Sequence, residues 1–452
     1  MRGFDAFVTR AFMAIPGWRG LGGAHRRLAS FAEQGFQGLA NLAANVILAR
    51  ALSHEGFATI GALMGIHYFV LGLHRTAIVL PFILDADMHE ARLRDTLGRW
   101  WWLNFASLGA IAAVLTLLAL ACRVLAQGDP RWGWLVEAVS LSIGVCPALL
   151  FFEFGRRTLY QAGRAASAAL ASACYLVIIV ASALVLTQGD AHAGTGAMAW
   201  VVAGLGSGGV ASVILAPGPP RLREGFALWW ANRSFAFWQA LTNVPYAIYN
   251  ASVAVPIGVI SGPVAAAAFN AARALTNPAI SIVSAVDSLD KPRAAKALRD
   301  DGCAGLTRSI RRTRRLLVLI TGAYLALVIV LAEPLLHIAF GETYAMLVNE
   351  MRVLAIAFFL MCLNQPSETL LIVLRESRLL LALRSLTAAI ALVSLLVATR
   401  FGVMGCCLAL LVTQSLNLGL LRFAERVGVN RHSAVRSAPN CGSLTCVQGS
   451  GA

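Results

Sequence analysis

WWWLNFASLGAIAAVLTLLALAC, residues 100–122, runs without a single charged side chain. A helix of about 20 apolar residues crosses the ~30 Å hydrocarbon core of a bilayer, so this stretch reads as a membrane-spanning helix. Working outward from it, similar windows recur at 30–50, 57–80, 133–152, 166–187, 194–215, 236–258, 263–285, 316–338, 350–372, 379–398 and 402–422. Only helices or closed barrels satisfy backbone groups in lipid, and continuous rather than alternating apolar runs select helices. Composition agrees: of 452 residues 58% are apolar and 13% charged, with mean hydropathy +0.71, whereas soluble domains carry about 25% charge. Soluble enzymes, disordered scaffolds and secreted disulfide frameworks are thereby excluded. The expected fold class is an all-α polytopic membrane protein of about twelve transmembrane helices.

A net charge of +15, from 37 Lys and Arg against 22 Asp and Glu, suggests nucleic acid at first sight. Position decides otherwise. With the amino terminus in the cytoplasm, 29 of the 37 basic residues fall on cytoplasmic segments, nine of them between Lys291 and Arg315. The outer loops hold only Arg50, Arg123, Arg131 and Arg400, the asymmetry that the positive-inside rule describes. No nucleic-acid partner is needed to explain the charge. The termini are both expected in the cytoplasm of a bacterial inner membrane. The expected units are a basic arm at 1–29, a first six-helix bundle at 30–215, a central linker at 216–235, a second bundle at 236–424 and a tail at 425–452.

Residues 1–29 contain no apolar run of signal-peptide length, so the first helix is expected to stay in the protein. Residues 4–15 read as a solvated arm or a short interfacial helix. Trp100, Trp101 and Trp102, directly after Arg99, read as an interfacial belt. No disulfide framework is implied by the nine cysteines, and the tail pair Cys441 and Cys446, with only His432 nearby, lacks the ligands of a zinc site. No cofactor, metal or hydrolytic constellation emerges, so no enzymatic role is expected. Gly204, Gly206 and Gly209 match the dinucleotide-binding spacing, but inside an apolar span they read as close helix packing.

Polar side chains in spans tend to face a bundle interior or a wet cavity. The first span places Gln34, Gln37, Asn41 and Asn45 on one arc, and the seventh places Gln239, Asn243, Tyr246 and Asn250 on another. The second span carries His74 and Arg75 before Pro81, and the eighth carries Arg273 before Asn277 and Pro278. Six helices are therefore written twice, which predicts two pseudo-symmetric bundles with a substrate site between them. Hydrogen bonding between helices is the other role open to these amides. An arginine within a span costs about 2.5–3.5 kcal/mol on insertion scales. Meeting phosphate oxygens with its planar fork would explain that cost; snorkelling is the alternative for Arg75. Arg50 reads as an interfacial anchor. Glu33 and Glu368 are candidates for ion coupling, and serve equally as partners of nearby arginines.

Glu33-Gln34 opening the first helix, the exit Ala49-Arg50-Ala51-Leu52, and Glu55-Gly56-Phe57 starting the second resemble the opening of the polysaccharide transporters, the Wzx-type oligosaccharide flippases of the MOP exporter superfamily. Pro256 through Pro278 to Lys291-Pro292-Arg293-Ala294 is similar to that family's eighth helix and following basic loop. The resemblance implies an alternating-access flippase with a cationic cavity, moving an undecaprenyl-diphosphate-linked oligosaccharide from the cytoplasmic to the outer leaflet. It also implies the lipid-linked substrate and other polysaccharide-assembly membrane proteins as partners. Related lipid II flippases use arginines on their second and eighth helices, which Arg75 and Arg273 match by position; those relatives have fourteen helices. Two negative charges moving outward across an inside-negative potential gain about 4.6 kcal/mol per 100 mV, so a coupling ion is dispensable. The runner-up is a small-molecule or multidrug antiporter of the same superfamily, which would present carboxylates rather than arginines to its cavity. A membrane glycosyltransferase would need acidic residues in long outer loops, and the outer loops here are short.

Overall fold

The computed structural model describes residues 22–85, 90–127, 129–251, 253–374 and 376–437. The expected arm is thus seen only from residue 22, and the segment 4–15 and the pair Cys441 and Cys446 lie outside the described residues. All regular elements among them are helical. The first bundle is built from α1 (Gly22–Ala51), α2 (His54–His74) with its continuation α3 (Leu80–Asp85), α4 (Glu90–Leu125), α5 (Gly133–Gln161), α6 (Ala165–Leu186) and α7 (Ala193–Leu215). A linker helix α8 (Leu222–Ala231) leads to the second bundle: α9 (Arg233–Tyr246), α10 (Ala254–Ser261), α11 (Pro263–Thr276), α12 (Pro278–Val330), α13 (Ala332–Phe340), α14 (Val348–Val373), α15 (Ser377–Ala398) and α16 (Gly402–Ser437).

Among the described residues, nine helices are long and apolar enough to cross a membrane, or ten if the bent pair around α10 counts as one span. The difference from twelve windows has a physical cause. Window 30–50 forms the 30-residue α1, but its amides and Glu33 dilute its apolar character. Window 263–285 is cut at Asn277–Pro278 into α11 and the start of α12, because a proline has no N–H to continue the ladder. The basic stretch 291–315, expected as a loop, is helical and belongs to α12, which folds back at Gly302 with φ 66°.

Packing repeats between the halves. In the first, α1 lies on α6, α5 on α7, α6 on α7, α4 on α5 and α2 on α5. The second reproduces these five pairs as α9 on α15, α14 on α16, α15 on α16, α12 on α14 and α11 on α14. The written-twice sequence is therefore two copies of one packing scheme. The bundles meet where α1 and α2 touch α9 to α12.

Two prolines shape the meeting surface. Pro81 cannot donate to the carbonyl of Ala77, and the chain there widens into a π-helical turn, Arg75–Val79. The freed Ala77 oxygen accepts the indole N–H of Trp229 on α8 at 2.8 Å. A second π turn, Ala247–Ala251, lies between Pro245 and Pro256. The linker is thus more than a tether: Gly218 N donates to Arg94 O at 3.2 Å, Arg221 N to Gly98 O at 2.8 Å, and Arg221 pairs with Asp95 on α4.

The tryptophan belt needs correction. Trp100 and Trp101 are buried against Phe82, Phe151 and Phe154, and only Trp102 is exposed. The helix begins ten residues earlier than the window, so successive tryptophans turn by about 100° and two of them face the core. Of the three α7 glycines expected to mark close packing, Gly204 and Gly206 do and Gly209 does not. A Cβ at Gly204 would meet the Ala148 carbonyl carbon and oxygen at 2.7 Å, whereas one at Gly209 would meet nothing within 4 Å. Gly204→Ala is expected to destabilise the protein by about 1–3 kcal/mol and Gly209→Ala to be near neutral, read as the difference between their thermal unfolding midpoints in detergent.

Candidate functional site

The side that carries the amino-terminal end of α1 is called the basic side, after the arginines that the sequence assigns to it. At the opposite side the bundles are fastened together. Arg50, closing α1, donates Nε to Ala339 O at 2.8 Å and Nη2 to Ile338 O. A cation on the carbonyls that end α13 is favoured by the helix dipole. The expected anchor is therefore a bridge between bundles, and His54 and Phe57 extend it by packing on Tyr344. Deeper, Asn270 of α11 lies over Gly61 of α2, where a Cβ would stand 1.4 Å from the amide nitrogen.

Toward the basic side, the first bundle buries a polar cluster. Glu153 on α5 takes Arg75 (Nε 2.9 Å, Nη2 2.7 Å) and Arg157 (Nε 2.7 Å) on one oxygen, and Arg156 on the other. Arg156 reaches on to Glu33 of α1. Glu33 also accepts from Gln34 at 2.8 Å, Tyr160 at 3.0 Å and Ser172 at 3.3 Å. Three guanidinia face two carboxylates, leaving one positive charge in excess. Side-chain exposure is uneven: Glu153 keeps 4% and Arg156 3%, while Arg75 keeps 39% and Arg157 35%. The carboxylates are sealed and the surplus charge faces outward.

In the second bundle, Arg273 ends α11 and is 8% exposed. It donates Nη2 to Asn250 O at 2.9 Å and Nε to the Asn277 side chain at 3.4 Å, beneath Phe358. The cavity it lines with Asn250 and Gln414 measures about 10 Å³, room for one water at most. Glu368 on α14 pairs with Arg384 on α15 at 2.7 Å, and Arg384 stacks over Tyr246 with 4.6 Å to the ring centre.

The two polar stripes scatter. Asn243 donates to Gly72 O at 3.1 Å and ties α9 to α2, but Tyr246 covers Arg384 and Asn250 accepts from Gln414 at 2.9 Å. The π turn between Tyr246 and Ala251 widens the helix and swings Asn250 off the arc. Gln239 is half-buried on α9. On α1, Gln34 binds Glu33 and Asn45 donates to its own helix at Asn41 O, 2.7 Å, while Gln37 and Asn41 stay half-buried. His74 turns inward to Asn104 at 2.8 Å. Glu153, Arg156, Arg157 and Arg384 were not singled out by the sequence. Their signals existed: a carboxylate closing an apolar run with arginines three and four residues on, and an arginine inside the window 379–398.

The fold, two like bundles packed side by side, is shared with solved transporters of the MOP superfamily. An outward-facing multidrug-resistance MATE-family transporter of that superfamily shares 16% identity over 91% of this chain and 95% of its own, with a TM-score of 0.56. An inward-facing MATE-family structure shares 16% identity, covering 92% of this chain and 100% of its own, at 0.61. A MOP superfamily transporter from Pyrococcus furiosus, whose reversed pocket polarity suggested a different function, shares 16% over 91% of this chain and 95% of its own, at 0.62. No curated protein matches the chain. The family model for polysaccharide biosynthesis proteins matches residues 47–349, and the chain belongs to that family. The chain's described residues include nine helices long and apolar enough to cross a membrane, in the fold that those solved transporters share.

Proposed function

We propose that this protein is an alternating-access flippase that carries a polyprenyl-diphosphate-linked oligosaccharide from the inner to the outer leaflet for surface or exopolysaccharide synthesis. The observation that carries the reading is the sign of the accessible charge. In the polar cluster of the first bundle the partly exposed ionic side chains are Arg75 and Arg157, while Glu33 and Glu153 there and Glu368 in the second bundle are buried and engaged by arginines. A diphosphate suits such a wall, and a cationic drug does not. That argument favours the flippase over the antiporter of the same superfamily.

By the positive-inside rule the basic side faces the cytoplasm of a bacterial inner membrane. The bundles are then fastened on the outer side by Arg50 and α13, a state ready to receive substrate from within. Alternation would exchange that bridge for contacts on the basic side. Partners in this reading are the lipid-linked substrate and the membrane proteins that build and polymerise it.

Deleting the gene and quantifying lipid-linked oligosaccharides with surface polymer tests the proposal. Complete lipid-linked units are expected to accumulate in the inner leaflet while surface polymer disappears. Unchanged intermediates and polymer, with raised sensitivity to cationic drugs, would transfer the assignment to the antiporter.

A further inference from the structure

Glu153 accepts from three guanidinia at once, more than one carboxylate neutralises. Arg156 is shared with Glu33 and sealed, so its charge is spoken for. Arg75 engages Glu153 through Nε and Nη2, and Arg157 through Nε alone. The Nη1 of Arg75 and both Nη of Arg157 bond to nothing among the described residues, and these two side chains are the partly exposed ones. Such guanidinium edges match a phosphate as closely as a carboxylate. Burying a carboxylate under cations costs solvation that a structural salt bridge repays poorly, whereas a placeholder keeps an anion site from collapsing when empty.

We propose that Arg75 and Arg157 form a phosphate-binding site and that Glu153 is its resident stand-in. A phosphate or diphosphate arriving from the exposed side takes over the open guanidinium edges, and Glu153 falls back on Arg156. The exchange has a mechanical consequence. Arg75 begins the π turn whose Thr76 hydroxyl and Ala77 carbonyl accept from Asn243 and Trp229. Its bond to Glu153 ties the same turn to α5. Anion binding weakens the second tie, so the second span is freed from its own bundle by the charge it is to carry. The proposal deepens the flippase reading by naming a subsite, and rests on it for the identity of the cargo alone.

Purified full-length protein in detergent is titrated with inorganic pyrophosphate at low salt by calorimetry. Arg157→Gln is expected to weaken binding about tenfold, the loss of one charge-assisted contact. Glu153→Gln keeps the shape but removes the competing charge, and is expected to strengthen binding about tenfold. A purely structural cluster predicts no such opposite signs. Equal affinities in wild type and Arg157→Gln, or no binding in wild type, would overturn the site, and this comparison stands even where Glu153→Gln fails to accumulate. A short-chain polyprenyl diphosphate serves as a second probe: tighter binding than pyrophosphate assigns the site to a lipid headgroup, equal binding to a free anion, and both support it. Intact pyrophosphate binding with no polymer defect on gene deletion would retire the flippase reading and leave the site standing.

Discussion

Replacing Arg273 with Ala is expected to slow saccharide export about 10- to 100-fold while the protein remains folded and inserted. Arg273 donates Nη2 to the Asn250 carbonyl and Nε to the Asn277 side-chain oxygen. Those contacts aim the guanidinium fork along the small cavity of about 10 Å³ that it lines with Asn250 and Gln414, where a diphosphate would meet it once the bundles part. Hydrogen bonds to a charged group are worth about 1.5–3 kcal/mol, so losing one that acts during translocation slows export about 10- to 100-fold. Arg273→Lys keeps the charge without the fork and should fall between wild type and Ala. Surface polymer measured against membrane abundance decides. Normal export by an abundant Ala variant would remove Arg273 from the site.

Arg384→Ala should be the most destabilising single change in the second bundle. Its removal leaves Glu368, 5% exposed, without its ion-pair partner. Breaking a buried pair from one side typically costs about 3–5 kcal/mol. Arg384 also donates to Thr242 O at 3.2 Å and covers Tyr246, so its loss loosens α9 from α15. Removing both charges together, as Arg384→Met with Glu368→Leu, is expected to recover most of that loss. Unfolding midpoints in detergent compare the three proteins. The same pair bears on coupling: with Arg384 in place of a mobile cation, Glu368→Gln should leave the pH dependence of transport unchanged. A shifted profile would restore Glu368 as a proton carrier.

Much of the candidate site could be read in the sequence because charge inside an apolar run is conspicuous whatever the fold. Arg75, Arg273, Glu33 and Glu368 announced themselves in that way. Arg156 and Arg157 did not, because arginines just beyond a span look like ordinary topological charge until α5 is seen to run on to Gln161. Nor did the displacement of Asn250: a stripe drawn at 100° per residue assumes an unbroken α-helix, and the π turn at Ala247–Ala251 changes the phase after Tyr246.

The sequence by itself determined that this chain crosses a membrane as helices, and that its twelve windows fall into two like halves with excess arginine. Both follow from periodicity and solvent preference, properties each segment carries alone. Only the tertiary structure decided which charges are spent on one another. Glu153 meets Arg75 across 78 residues of chain and Glu33 meets Arg156 across 123, and which groups stay exposed depends on how α1, α2 and α5 pack. Charge in a low-dielectric interior is governed by its nearest partner, and nearness in space is what a linear sequence does not contain.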